Sequence, residues 1–184
     1  RERHHGGVVW ALLNNLINLE CEARGIPVPT ITWYKDGQPV ISSPQALYVD
    51  RGQFLQIPCA RVSHSARYTC RVSGAARAAE KVFHVDVYVP PVIEGDADTA
   101  QSRQVVAGNS LTLECNAAGN PAPLLSWLKE GVPVQASARL RVLAGGRRLE
   151  ILNAGEADRG QYWCVATSVA GEQEIKYEVE ILGV

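Results

Sequence analysis

Residues Leu149–Cys164 read LEILNAGEADRGQYWC, and the fold of the chain is decided there. Leu149 and Ile151 alternate with Glu150, a turn-rich segment ends in Asp158-Arg159-Gly160, and Tyr162 stands two residues before Cys164. Ninety-four residues earlier, Leu55–Cys70 reads LQIPCARVSHSARYTC, with Leu55, Ile57, Tyr68 and Cys70 at the same four places. The offset of 94 needs no gap and extends outward, carrying Cys21 onto Cys115 and Trp33 onto Trp127. In each copy the Trp lies twelve positions after the first Cys, and the second Cys lies forty-nine after the first. One such element is common by chance. The whole set recurring at one offset marks a duplicated domain.

Period-two alternation, the mark of a strand buried on one face, runs through both copies. Ile17, Leu19 and Cys21 point inward, matched by Leu111, Leu113 and Cys115; Ile31 and Trp33 correspond to Leu125 and Trp127. Phe83, Val85, Val87 and Val89 face in while His84, Asp86 and Tyr88 face out, as do Lys176, Glu178 and Glu180 beside inward Tyr177, Val179 and Ile181. The same alternation sets Trp163 outward between inward Tyr162 and Cys164. Turn chemistry agrees. Gly25-Ile26-Pro27-Val28-Pro29 and Gly119-Asn120-Pro121-Ala122-Pro123 each bring two fixed φ angles and two lost amide donors, which stop the preceding strand. Lys35-Asp36-Gly37 and Lys129-Glu130-Gly131 mark a second turn, Arg51-Gly52 and Gly145-Gly146 a third.

The Cys…Trp…Tyr-x-Cys set resembles that of the immunoglobulin sandwich, in which a disulfide joins two sheets, an indole packs on it and a tyrosine hydroxyl pins a corner. That resemblance implies bonds Cys21–Cys70 and Cys115–Cys164, core indoles at Trp33 and Trp127, and tyrosine corners at Tyr68 and Tyr162. Each disulfide closes a loop of about fifty residues, for which loop entropy gives about 4 kcal/mol. The Trp33–Pro39 run and the Leu149–Cys164 run are similar to intermediate-set (I-set) repeats. Val87-Tyr88-Val89-Pro90-Pro91-Val92-Ile93, followed by Glu94-Gly95-Asp96, resembles the inter-repeat joints of hemicentins, matrix proteins built from tandem I-set modules. The expected architecture is all-β: two immunoglobulin-like Greek-key sandwiches, residues 1–89 and 90–184, joined end to end by a short Pro-Pro linker. Pro-Pro favours stiff polyproline II geometry, so the pair is expected to act as a semi-rigid rod. Residues 1–10 do not match the Pro-Pro-x-Ile opening of the second copy, so a lead without fixed structure is expected through about Gly7, with a divergent first strand as the alternative.

Composition narrows the function classes. Net charge is −1, divided as +3 over residues 1–89 (ten Lys/Arg, seven Asp/Glu) and −4 over residues 90–184 (eight and twelve). Neither imbalance points to a nucleic-acid surface, and no apolar run approaches the ~20 residues of a membrane span. Five cysteines leave Cys59 over as a free thiol. Cys59 and His64 lie five apart, but no third group orients them as nucleophile and base. His4-His5 at the terminus and the acidic Glu94, Asp96 and Asp98 fall short of the four well-placed ligands of a metal site. Arg139, Arg141, Arg147 and Arg148 flank one hairpin and offer either solvated charge or a sulfated-glycan surface. No metal, cofactor or catalysis is expected.

The two copies differ in ways that bear on stability. Asp158 is expected to pair with Arg141 across the sandwich end. The first copy has His64 and Leu47 at those places, so both members of the pair are lost. Ala66 replaces Gly160, and Arg77 replaces Gly171, with Gly74 supplying the positive φ instead. The expected role is a secreted, disulfide-bonded spacer and adhesion pair taken from a longer matrix protein. Its partners would be other proteins and neighbouring immunoglobulin modules, and Trp163 is a candidate interface residue. The alternatives are a cytosolic titin-like scaffold and the ectodomain of a cell-surface receptor.

Overall fold

A computed structural model describes residues 6–74 and 79–183. The chain divides into two compact units, Arg1–Val89 and Pro90–Val184. The first contains β1 (Gly7–Leu12), β2 (Ile17–Glu20), β3 (Thr30–Lys35), β4 (Gln38–Pro39), β5 (Leu47–Val49), β6 (Phe54–Ile57), β7 (Ala66–Ser73) and most of β8 (Ala79–Ile93). The second contains β9 (Gln101–Val106), β10 (Leu111–Glu114), β11 (Ala117–Asn120), β12 (Leu124–Lys129), β13 (Val132–Pro133), β14 (Leu140–Leu143), β15 (Arg148–Ile151), β16 (Gly160–Ser168) and β17 (Gly171–Leu182). Among the described residues the only helical elements are short 3-10 turns.

Each unit is a two-sheet sandwich. In the first, the order β1-β8-β7-β3-β4 faces the three-stranded sheet β2-β6-β5; in the second, β13-β12-β16-β17-β9 faces β10-β15-β14. The sequence offset survives as register. Trp33 lies opposite Cys70 and Trp127 opposite Cys164, while Ile17 opposes Ile57 as Leu111 opposes Ile151. β1 and β9 each run parallel to the last strand of their unit, with Trp10 opposite Asp86 and Gln104 opposite Glu180. One core fills each sandwich. Leu19, Trp33, Leu55, Ile57, Cys70 and Phe83 are fully buried in the first, and Leu113, Leu149, Ile151, Cys164 and Ile175 are essentially so in the second.

Gly7 opens β1, so the expectation of a lead without fixed structure fails there. Pairing with the final strand buries Val9 and leaves Val8 and Trp10 outside, which orders the segment. Arg1–His5, and with them His4 and His5, lie outside the described residues, as does Arg77. Gly74 takes φ +94°. In the second unit the strand signal outlasts β10: β11 carries Gly119 and Asn120, pairs with β8, and ends at Pro121, whose ring removes the next amide donor.

Candidate functional site

The disulfides tie the sheets of each unit, with Cα–Cα distances of 6.3 Å for Cys21–Cys70 and 6.2 Å for Cys115–Cys164. Both indoles are anchored alike. Trp33 Nε1 donates to Gly52 O and Trp127 Nε1 to Gly146 O, each at 2.7 Å. A glycine is required there, because Gly146 sits at φ +95° and a Cβ on it would lie 2.8 Å from Leu125 Cβ. Trp33 packs on Phe83 with ring centroids 5.6 Å apart, and Trp127 on Tyr177 at 6.1 Å.

The tyrosine corners close the same way. Tyr68 O–H donates to His64 O at 2.8 Å and Tyr162 O–H to Asp158 O at 2.7 Å. Burial, helped by the charge of Asp36, pushes the Tyr68 hydroxyl up to about 12. Burial and the Asp158 charge likewise push Tyr162 far up. Both hydroxyls are therefore donors at any physiological pH.

The sandwich ends beneath these corners differ. Asp158 is buried and accepts a forked pair of bonds from Arg139, Nη1 at 2.6 Å and Nη2 at 2.9 Å, plus the Gly155 N–H at 2.9 Å. Burial alone would raise this carboxyl. The bonds from Arg139 and Gly155, with the charges of Arg139 and Lys129, outweigh burial and hold it below the usual carboxylate value. The expected partner, Arg141, instead reaches Glu150 at 3.6 Å on the neighbouring strand. The reason is geometric. Arg141 lies within β14 opposite Glu150, whereas Arg139 stands just before β14, on the Ser137–Leu140 turn that faces the corner.

In the first unit Gln45 stands for Arg139 and His64 for Asp158. His64 Nδ1 accepts the Arg61 N–H at 2.9 Å, replacing only the Gly155 bond of the second unit. Cys59 is an exposed free thiol whose Sγ donates to Asn14 Oδ1 at 3.5 Å. His64 and Cys59 are thus each engaged elsewhere rather than with each other. Among the described residues no group of three or more His, Cys, Asp or Glu could hold a metal ion, and no helix is long and apolar enough to cross a membrane. Of the four arginines around the second-unit hairpin, Arg139, Arg141 and Arg148 are each ion-paired, to Asp158, Glu150 and Glu114.

Two tryptophans remain at the surface. Trp163 on β16 is half-buried, lying between Leu128 on β12 and Lys176 on β17 in register. Trp10 was not singled out from the sequence, yet it is 57% exposed and rests on Tyr88 with ring centroids 4.9 Å apart. Val8 and Leu12 flank it on the outer side of β1. The signal was available: Val8-Val9-Trp10-Ala11-Leu12 alternates as β1 does, and its register partner at the 94 offset is Gln101–Val106.

An immunoglobulin I-set domain model matches residues 97–181, and an immunoglobulin domain model matches residues 4–74. The chain belongs to the immunoglobulin superfamily, as a pair of hemicentin-type repeats. It is 66% identical to Hemicentin-1 of Homo sapiens over 174 residues, 95% of this chain and 3% of that protein. It is 44% identical to Hemicentin-2 of Mus musculus over 175 residues, with the same two shares. The chain thus spans about 3% of the length of these curated relatives. The I-band fragment I67-I69 from titin superposes with a TM-score of 0.85 at 23% identity, over 98% of this chain and 64% of that one, which shows the shared fold. The two bonded cysteine pairs and the hemicentin kinship place the chain outside the cell, in the extracellular matrix.

Proposed function

We propose that the two units are structural and adhesive spacer modules of a large secreted matrix protein, presenting sheet faces to other proteins and holding distance between neighbouring immunoglobulin modules. The role is non-catalytic. The observation that carries this reading is the 66% identity to Hemicentin-1 across 95% of the chain, spread over two closed, disulfide-tied sandwiches.

Within that reading, the outer face of β12, β16 and β17 contributes a contact through Trp163. An indole offers a large rigid area, and Trp is enriched among residues that dominate interfaces. Purified chain added to matrix laid down by cultured cells is expected to be retained, and Trp163→Ala to weaken retention by roughly thirtyfold, equivalent to about 2 kcal/mol. The fold should survive, since the indole on the disulfide is Trp127. If Trp163→Ala lowers the melting temperature and leaves retention unchanged, Trp163 is a cross-strand packing residue and this face is not the contact.

A further inference from the structure

The second unit is an internal reference for the first, and it shows what the first has lost. The backbone at the sandwich end keeps its course. Val62–His64 and Glu156–Asp158 are both 3-10 turns, and Lys35 Nζ donates to Ser63 O at 2.6 Å as Lys129 Nζ donates to Ala157 O. What is gone is the guanidinium of Arg139 and the carboxylate of Asp158. At that end of the first unit lies a cavity of about 310 Å³, walled by Pro44, Pro58 and Cys59 and edged by Gln45, Arg61, Ser63 and His64.

We propose that this cavity is an oxyanion site that takes a sulfate group, borne on a sulfated polysaccharide or free in solution. The polar groups along its edge are rich in donors. Arg61 brings a guanidinium, Gln45 an amide and Ser63 a hydroxyl. His64 Nδ1 is occupied as an acceptor by the Arg61 N–H, so the neutral ring carries its proton on Nε2 and is a donor there. No Asp or Glu lines the cavity. The surroundings are positive as well: burial first, then the charges of Lys35 on β3 and Arg61 on the turn, hold the His64 imidazole below its ordinary 6.5. Asp36, on the turn after β3, accepts the Arg67 N–H at 3.0 Å and brings its negative charge toward Tyr68, and it is not among the residues lining the cavity. In the second unit Asp158 supplies the negative charge permanently. A bound sulfate does the same for the first. Its four oxygens suit donors arriving from both sides of the cavity, Gln45 on one segment and Arg61 to His64 on another.

The test is an NMR titration of the intact two-unit chain with sodium sulfate, at constant ionic strength against sodium chloride. The expected result is a saturable shift of the His64 ring signals and of the Arg61 and Ser63 amides, with the His64 pKa rising as the anion binds. Gln45→Arg with His64→Asp rebuilds the Arg–Asp pair inside the cavity and is expected to weaken the amide response at least tenfold while circular dichroism stays unchanged. Arg61→Gln, which leaves the ring as reporter, should also weaken it. A heparin-derived oligosaccharide producing the same shift at a tenfold lower concentration identifies the polysaccharide as the source. Equal potency per sulfate identifies the free anion. No saturable shift with either, or an unchanged response in the rebuilt-pair variant, overturns the proposal.

Discussion

Arg61–His64 of the first unit and Gly155–Asp158 of the second follow the same backbone path to opposite chemistry. Both form a 3-10 turn, both offer their last carbonyl to a tyrosine hydroxyl, and both are tethered by a lysine from the strand opposite. One ends in a buried carboxylate clamped by a guanidinium, the other in a partly buried imidazole beside a cavity. The corner geometry therefore does not depend on the ion pair. The tyrosine and the turn build it, and the ion pair adds stability where it is present.

The largest effect should come from transplanting the difference. Arg139→Gln with Asp158→His gives the second unit the chemistry of the first, removing two charge-assisted hydrogen bonds to a buried group. The expected loss is about 1–3 kcal/mol, discounted from a fully buried pair because the Arg139 side chain is 43% exposed. For a domain of this size that is on the order of 5–15 °C in Tm. By the same reasoning the first unit, expressed alone, should melt below the second. Calorimetry on the separate units reads both quantities. An unmoved midpoint in the double variant would mean that the corner and disulfide already saturate the stability of this end.

What could be read from the sequence follows from what each pattern encodes. The 94-residue offset and the alternation of Leu149 with Ile151, or Phe83 with Val85, specify strands and inward faces, because side-chain direction in a strand has period two. The family and fold were legible from those residues. The partner of Asp158 was not. Arg139 and Arg141 are two residues apart, and choosing between them depends on where β14 begins and how the Ser137–Leu140 turn aims its side chains. Trp10 was not legible because Arg1–Trp10 lacks the Pro-Pro opening of the second copy, and its true counterpart is Gln101–Val106. Parallel pairing of a first strand with the last is a long-range contact that no local window contains. The cavity at His64 was invisible for the same reason, since Gln45 and His64 meet only in the folded sandwich.

A smaller effect separates the edge strands. β1 sets Trp10 on Tyr88, whereas at the matching place β9 sets Gln104, whose Nε2 donates to Glu180 Oε2 at 3.2 Å. Trp10→Ala should cost the first unit about 0.5–1.5 kcal/mol, the range for an aromatic pair. Gln104→Ala should stay within about 0.5 kcal/mol, as exposed polar substitutions do. Equal losses in urea titrations of the two units would show that the apolar edge of the first adds nothing to its fold.

The smallest effect, and the one most specific to the comparison, is a difference in acid response. His64 is held below its ordinary value, so the folded first unit favours the neutral ring and the unfolded chain binds the proton more readily. A group with a depressed folded pKa contributes stability that is complete above its unfolded value, here 6.5, and is lost as pH falls through the folded one. The first unit should therefore begin to weaken just below neutrality. Asp158 obeys the same rule from a lower start. Its contribution is complete above about 3.8, so the second unit should hold its stability through mild acid and lose it only below that. Melting each unit alone at pH 7.5, 5.5, 4.0 and 2.5 should place the first unit's decline in the first interval and the second unit's in the last. His64→Gln should flatten the first decline, because an amide cannot take up the proton that drives it. If the slope between pH 7.5 and 5.5 survives that substitution, another group governs the acid response of the first unit, and the exchange of Asp for His at the corner is electrostatically silent.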